Sequence, residues 1–248
     1  MSAQFVPFQH FLSSKLEVRT ADMDTEPQWS PSITLSRQAG ARAVTIGEKL
    51  TKYLQTESVY RHALWTLFDQ NLVQTIIEDH HLKPEVEQQM DEDRVRLMVE
   101  AVREVFKVKP SDWSLFNNSV NTIRNLCRLG HAIVVGRGGN FISADLPNTF
   151  SVRLVGSLAV RQAHLQRKFG LNVKAAAGYI HEKDVARRRY VKSHLQQDID
   201  EAAGYHLILN TDDLADDSVV KIIAQAMEEW ASGPANQAQR KPLELVGN

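Results

Sequence analysis

The chain has 248 residues, 43% apolar and 24% charged, the profile of an ordinary folded protein rather than a disordered or fibrous one. Its 29 Lys and Arg against 30 Asp and Glu leave a net charge of −1, which argues against a nucleic-acid coat or a polybasic membrane binder and makes any positive site local. No run of 18 apolar residues spans a membrane, no secretory leader opens the chain, and the single cysteine, Cys127, rules out an intramolecular disulfide or a cysteine-built zinc site, so the expectation is a cytoplasmic protein.

Residues 1–30 read as an irregular N-terminal arm, and residues 232–248, small, polar and proline-containing, as a flexible tail. Between them, Ser32–Ser36 is β-prone and Ile46–Leu54 carries apolar residues at helical spacing. Gln70–His80 and Lys83–Phe106 follow as helices, and Trp113–Leu129 is a further one stopped by Gly130. His131–Val135 is the clearest strand, a short apolar run without helical period, as expected for a strand buried on both faces. Ser151–Val155 and His206–Leu209 are further strands; Leu158–Phe169, Val173–His194 and Ser218–Trp230 are helices. Strands separated by helices predict a parallel α/β sheet, here helix-rich, in a domain over 31–231. The helices of 83–129 form an insert, suggesting an acceptor cover or a homodimer surface.

Ligands of such sheets bind beyond the carboxyl ends of the strands. Two turns there contain glycine. Ser36–Thr45 runs from a strand into a helix, a geometry that aims backbone N–H groups at an anion, with Arg37 or Arg42 as cations and the Thr45 hydroxyl for Mg²⁺. It lacks the G-x-x-x-x-G-K-[ST] pattern, having Arg42-Ala43 where Gly-Lys would stand. Gly136–Asn140 follows the best strand and places Arg137 at its tip, where a guanidinium can grip a phosphate through two bonds. Downstream, Lys183, Arg187, Arg188, Arg189 and Lys192 crowd one helix. Asp184 is spaced to hold Arg188 as an i,i+4 pair, and polar Gln196–Gly204 suits a closing flap. The carboxylates at 212–213 and 216–217 suit the start of the last helix.

In this order the features resemble the cytidylate kinase-like family of P-loop nucleoside monophosphate kinases, over roughly residues 32–228. The likeness is carried by Ile33–Leu54, Phe68–Leu72, Ala132–Asn140, Val152–Arg161, Lys183–Arg189 and Tyr205–Thr211. The resemblance implies a three-layer α/β/α sheet with a lid over 181–204, and ATP-dependent phosphoryl transfer to CMP, dCMP or a similar small acceptor. It implies that Gly40, Ala41, Arg42 and Thr45 hold the ATP phosphates, with Mg²⁺ on Thr45. Asp69 and Arg137 would bind the acceptor, Arg161 would lie near the donor nucleotide, and Arg187 and Arg188 would act in catalysis. The altered phosphate loop, and Gly138 where cytidylate kinases have an acidic residue, leave open a catalytically impaired nucleotide-binding protein that retains the fold.

Overall fold

The computed structural model describes Phe11, Ser14 and residues 30–69 and 115–233. Five strands form one parallel sheet: β1 (Ser32–Arg37), β2 (Thr66–Phe68), β3 (Ala132–Val135), β4 (Thr149–Val155) and β5 (Leu207–Asn210). Their order is β2-β3-β1-β4-β5. β1 is central, pairing Ile33 with Ile133 on one side and with Phe150 on the other. The chain builds one side of the sheet with β2 and β3, then the other with β4 and β5, so the exit of β1 lies where the winding reverses.

Helices cover both faces. Side chains alternate along a strand, so Ile33, Leu35, Ile133 and Val135 turn to one face, while Ala132 and Val134 turn to the other. The first face is covered by α1 (Ala43–Thr56) and the C-terminal helix α6 (Asp216–Ser232). Ile46, Leu50 and Leu54 there meet Val220, Ile223 and Met227. Each of these fully buried side chains contributes about 1.5–3 kcal/mol through removal from water. The second face is covered by α2 (Leu115–Leu129) and the short α3 (Gly139–Ile142), with Ile123, Leu126 and Cys127 against Phe68 and Val134. Burial pushes the Cys127 thiol up to about 12.

Two helices stand beyond the carboxyl edge. α4 (Leu158–Phe169) is capped by Ser157, whose hydroxyl accepts from the Val160 N–H, and ends at Gly170 with φ 65°. α5 (Val173–Leu195) begins at Asn172, whose side chain accepts from the Ala175 N–H, and runs unbroken for 23 residues. Leu165, Ala176 and Ile180 join them around Ala39.

The expected α/β architecture holds, with strands and helices within a few residues of their predicted limits. β2 is an addition: its register, Thr66 opposite Ala132 and Phe68 opposite Val134, makes it an edge strand. The helices expected over 70–80 and 83–106, the N-terminal arm and most of the tail lie outside the described residues. Among those described, no helix is long and apolar enough to cross a membrane.

Candidate active site

The turn after β1 shows how alanines can occupy a phosphate-loop position without filling it. Ala41 and Ala43 send their methyls into the core with α1, and Ala39 sends its methyl between α4 and α5. Gly40 adopts φ 86°, and a Cβ there would lie 2.8 Å from the Arg161 carbonyl oxygen, so this position requires glycine. No side chain caps α1, and no acidic residue lies in its first turn, so its leading N–H groups remain donors for an anion. Gly40 and Thr45 are half-buried at this end.

The Arg42 side chain, one of the two cations expected at this turn, is engaged elsewhere. It takes a left-handed conformation at φ 59° and folds toward α6. Its Nη2 donates to the carbonyls of Thr211 at 2.5 Å and Leu214 at 3.0 Å, while Nη1 pairs with Asp216 at 3.1 Å. With its donors bound to these acceptors, the side chain fastens the loop to the start of α6.

Arg161, expected near the donor nucleotide, is buried beneath the same loop. Nε donates to the Gly156 carbonyl at 2.8 Å; Nη1 donates to the Ala39 carbonyl at 3.0 Å and to Asp184 Oδ2 at 2.8 Å. A charge so buried must be paired, and this one becomes a bracket between α4, α5 and the loop.

The remaining arginines converge. A narrow cleft at the exit of β1 is lined by Arg37, Gln38, Arg153, Asp184, Arg187, Arg188 and Ile199. Arg37 joins it to the turn after β3: its Nη1 lies 1.7 Å from where a Cβ on Gly136 would sit, so the missing side chain makes room for the guanidinium. Burial, then the charge of Arg187, then that of Arg137, draws Arg37 down to about 10 against the pull of Asp69 at the end of β2. Arg137 stands over the Tyr190 ring at 5.9 Å, and its Nε is buried without a hydrogen-bond partner among the described residues. Of the expected residues, Arg187 and Arg188 line the cleft, while Asp69 and Arg137 lie near enough to Arg37 to act on its charge.

The lid-like region differs in its pairing. Asp184 bonds Arg187 at 3.2 Å and Arg161, not Arg188 four residues on. Arg188 turns to Asp200, its Nε donating to Oδ2 at 2.8 Å. The other Asp200 oxygen accepts from Arg153 Nη2 at 2.5 Å. Burial alone would raise the Asp200 carboxyl, but the hydrogen bond from Arg188 and the charge of Arg153 hold it below the usual range. The segment expected as a loose flap is therefore tied down at Asp200, and Tyr205 adds bonds from its hydroxyl to Ser36 and to the Ile199 carbonyl.

Arg153 was absent from the sequence-based candidates. Its signal was a lone charge in the apolar run Ser151–Val155: an arginine in a doubly covered strand must meet a carboxylate. It also donates to Ser36 and lies over the Tyr205 ring.

Comparison with known proteins places this arrangement. The model of the cytidylate kinase-like family matches residues 32–213. A crystal structure of an uncharacterized protein from Eubacterium ventriosum ATCC 27560 is similar at a TM-score of 0.60 and 15% identity, covering 81% of this chain and 99% of that one. A gluconokinase from Sinorhizobium meliloti 1021 aligns at 0.42 and 13% identity, covering 83% and 95%. A shikimate kinase from Bacteroides thetaiotaomicron aligns at 0.42 and 14%, covering 80% and 97%. No curated protein matches the sequence. The chain belongs to the cytidylate kinase-like family, and phosphoryl transfer is the general class of chemistry that this membership brings.

Proposed function

We propose that the chain transfers a phosphoryl group from ATP to a nucleoside monophosphate of the CMP or dCMP type, or to a similarly small phosphorylated acceptor. The observation that carries this reading is the convergence of Arg37, Arg187 and Arg188 on one cleft at the exit of β1, with Arg137 close enough to act on the charge of Arg37. Phosphoryl transfer asks the protein for alignment and for positive charge on the equatorial oxygens, and guanidiniums and backbone N–H groups supply both.

In this reading the backbone of Gly40, Ala41 and Arg42, with the N–H of Thr45, receives the donor phosphates. Asp69 and Arg137 orient the acceptor, and Arg187 and Arg188 stabilise the charge on the transferring group. Arg161 has a holding role. Mg²⁺ fits only as a companion of the nucleotide. Among the described residues no group of three or more His, Cys, Asp or Glu can hold a metal, and Thr45 offers a single hydroxyl. A small, hard cation that keeps its waters and rides on phosphates needs no more than that from the protein.

A second reading, a nucleotide-binding regulator without turnover, is favoured by two observations. Ala43 stands where a lysine would reach the phosphates, and the Ala39 N–H is already taken by Asp184 at 2.7 Å. A coupled ADP-release assay with CMP, dCMP, UMP and AMP separates the two. Turnover is expected with at least one of them, falling about 10²–10³-fold in Arg188→Ala. Thermal stabilisation by ATP and CMP without turnover would instead establish the regulator.

A further inference from the structure

This inference rests on the cleft being a phosphoryl site and concerns what occupies it before a ligand arrives. We propose that Asp184 is an internal stand-in for a phosphoryl group: its carboxylate fills an oxyanion subsite made by the Ala39 N–H, Arg161 and Arg187, and a phosphorylated ligand displaces it.

The donors come from three elements. The Ala39 N–H of the β1–α1 turn donates to Oδ1 at 2.7 Å, Arg187 Nη1 of α5 to the same oxygen at 3.2 Å, and Arg161 Nη1 of α4 to Oδ2 at 2.8 Å. One backbone amide and two guanidiniums form the donor set that a phosphoryl oxygen also takes.

Two of the three donors do not depend on Asp184 for their places. Arg161 is fixed independently through the carbonyls of Gly156 and Ala39, and Gly40 packs directly on its backbone. Ala39 is fixed by its methyl, buried among Leu165, Ala176 and Ile180. Two of the three donors therefore keep their places when the carboxylate leaves, and Arg187, bonded to Asp184 itself, gives up that bond.

Asp184 lies on the cleft wall with Arg37 and Arg187, within reach of an entering anion. It brings one negative charge to a region where Arg37, Arg137 and Arg187 crowd one another. A phosphate monoester brings about 1.5–2, so exchange satisfies the cations more fully. The same carboxylate repels any phosphate that arrives without displacing it, which makes the loop selective for ligands that bind strongly enough to open it.

The test is calorimetric titration of inorganic pyrophosphate into the full chain and into Asp184→Asn. The variant is expected to bind about tenfold more tightly, because the competing charge is gone while the donors remain. Equal or weaker binding by the variant, or no binding by either protein, overturns the proposal. If Asp184→Asn does not fold, the wild-type Ala39 amide resonance decides: it must shift in step with pyrophosphate saturation, and saturation that leaves it unmoved overturns the proposal. Tighter pyrophosphate binding by the variant in a protein that phosphorylates no acceptor would uphold the displacement and sink the phosphoryl-transfer reading. Turnover by a protein whose variant gains no affinity would do the reverse.

Discussion

The turns that follow β1 and β3 use one backbone device for opposite ends. Both leave the sheet through left-handed residues: Gly40 and Arg42 in the first, Gly136, Arg137 and Gly138 in the second. In the first turn the Arg42 side chain is held by Asp216 and the carbonyls of Thr211 and Leu214 and takes no part in the cleft lining. In the second the arginine stands beside Tyr190 and Arg37 with its Nε unpartnered, and what matters is the side chain. An arginine next to glycine at a strand tip is therefore not one kind of residue. Its role depends on whether carbonyls or other cations lie within its reach.

The largest expected effect comes from Gly136→Ala. The new Cβ meets the Arg37 guanidinium and must adopt φ 88°, so Arg37 is driven from the cleft. Stability should fall by about 3 kcal/mol in chemical denaturation, and pyrophosphate affinity should fall at least about tenfold. An unchanged affinity would mean that the second turn carries no ligand chemistry. Next, Arg42→Ala should cost about 2–3 kcal/mol through its lost charged hydrogen bonds. Arg42→Gly should cost about 1 kcal/mol less, because glycine relieves the left-handed strain. Neither should change pyrophosphate affinity by more than about twofold. A loss of affinity in Arg42→Ala as large as in Gly136→Ala would erase the contrast between the turns.

The smallest effect is a pH control placed in neither turn. His206 Nδ1 accepts the Ser151 N–H at 2.9 Å, and its ring stacks on Phe150. Burial lowers its pKa below 6.5, so the unfolded chain takes up the proton first as pH falls. The stability it contributes is present above pH 6.5 and is lost as pH drops below that value. His206→Gln should flatten the acid side of a Tm-against-pH curve in that range, and a curve that keeps its slope would assign the loss to other groups. Neither turn contains a histidine, so both should behave alike across this window.

The frame was legible because its strands and helices follow simple periods. Ala132–Val135 is buried at every position, and Leu158–Phe169 is bounded by a serine cap and a glycine stop. β2 was not legible, since three residues cannot display an alternation and only pairing with β3 makes them a strand. Within the site, sequence order singled out Arg187 and Arg188, which line the cleft, and Asp69 and Arg137, whose charges act on Arg37 there. It could not give the directions of Arg42 and Arg161. Those depend on carbonyls at 211, 214, 39 and 156, acceptors that every residue carries and that only folding brings within reach. Asp184 illustrates the same limit: helical spacing offers both Arg187 and Arg188 as partners, and the choice is made by Arg161 and Asp200, from outside the helix.

α5 touches both turns at different distances from its start. Asp184, about 18 Å along the helix from the Asn172 cap, bonds the first turn, and Leu195, about 35 Å along, packs against Gly138 in the second. The helix is thus a lever with its fulcrum at the α4–α5 corner. A tilt that lifts Asp184 off Ala39 by one ångström carries Leu195 roughly twice as far. By this geometry, a small tilt of α5 at the turn after β1 would be larger at the turn after β3, so one rigid rod couples the two turns.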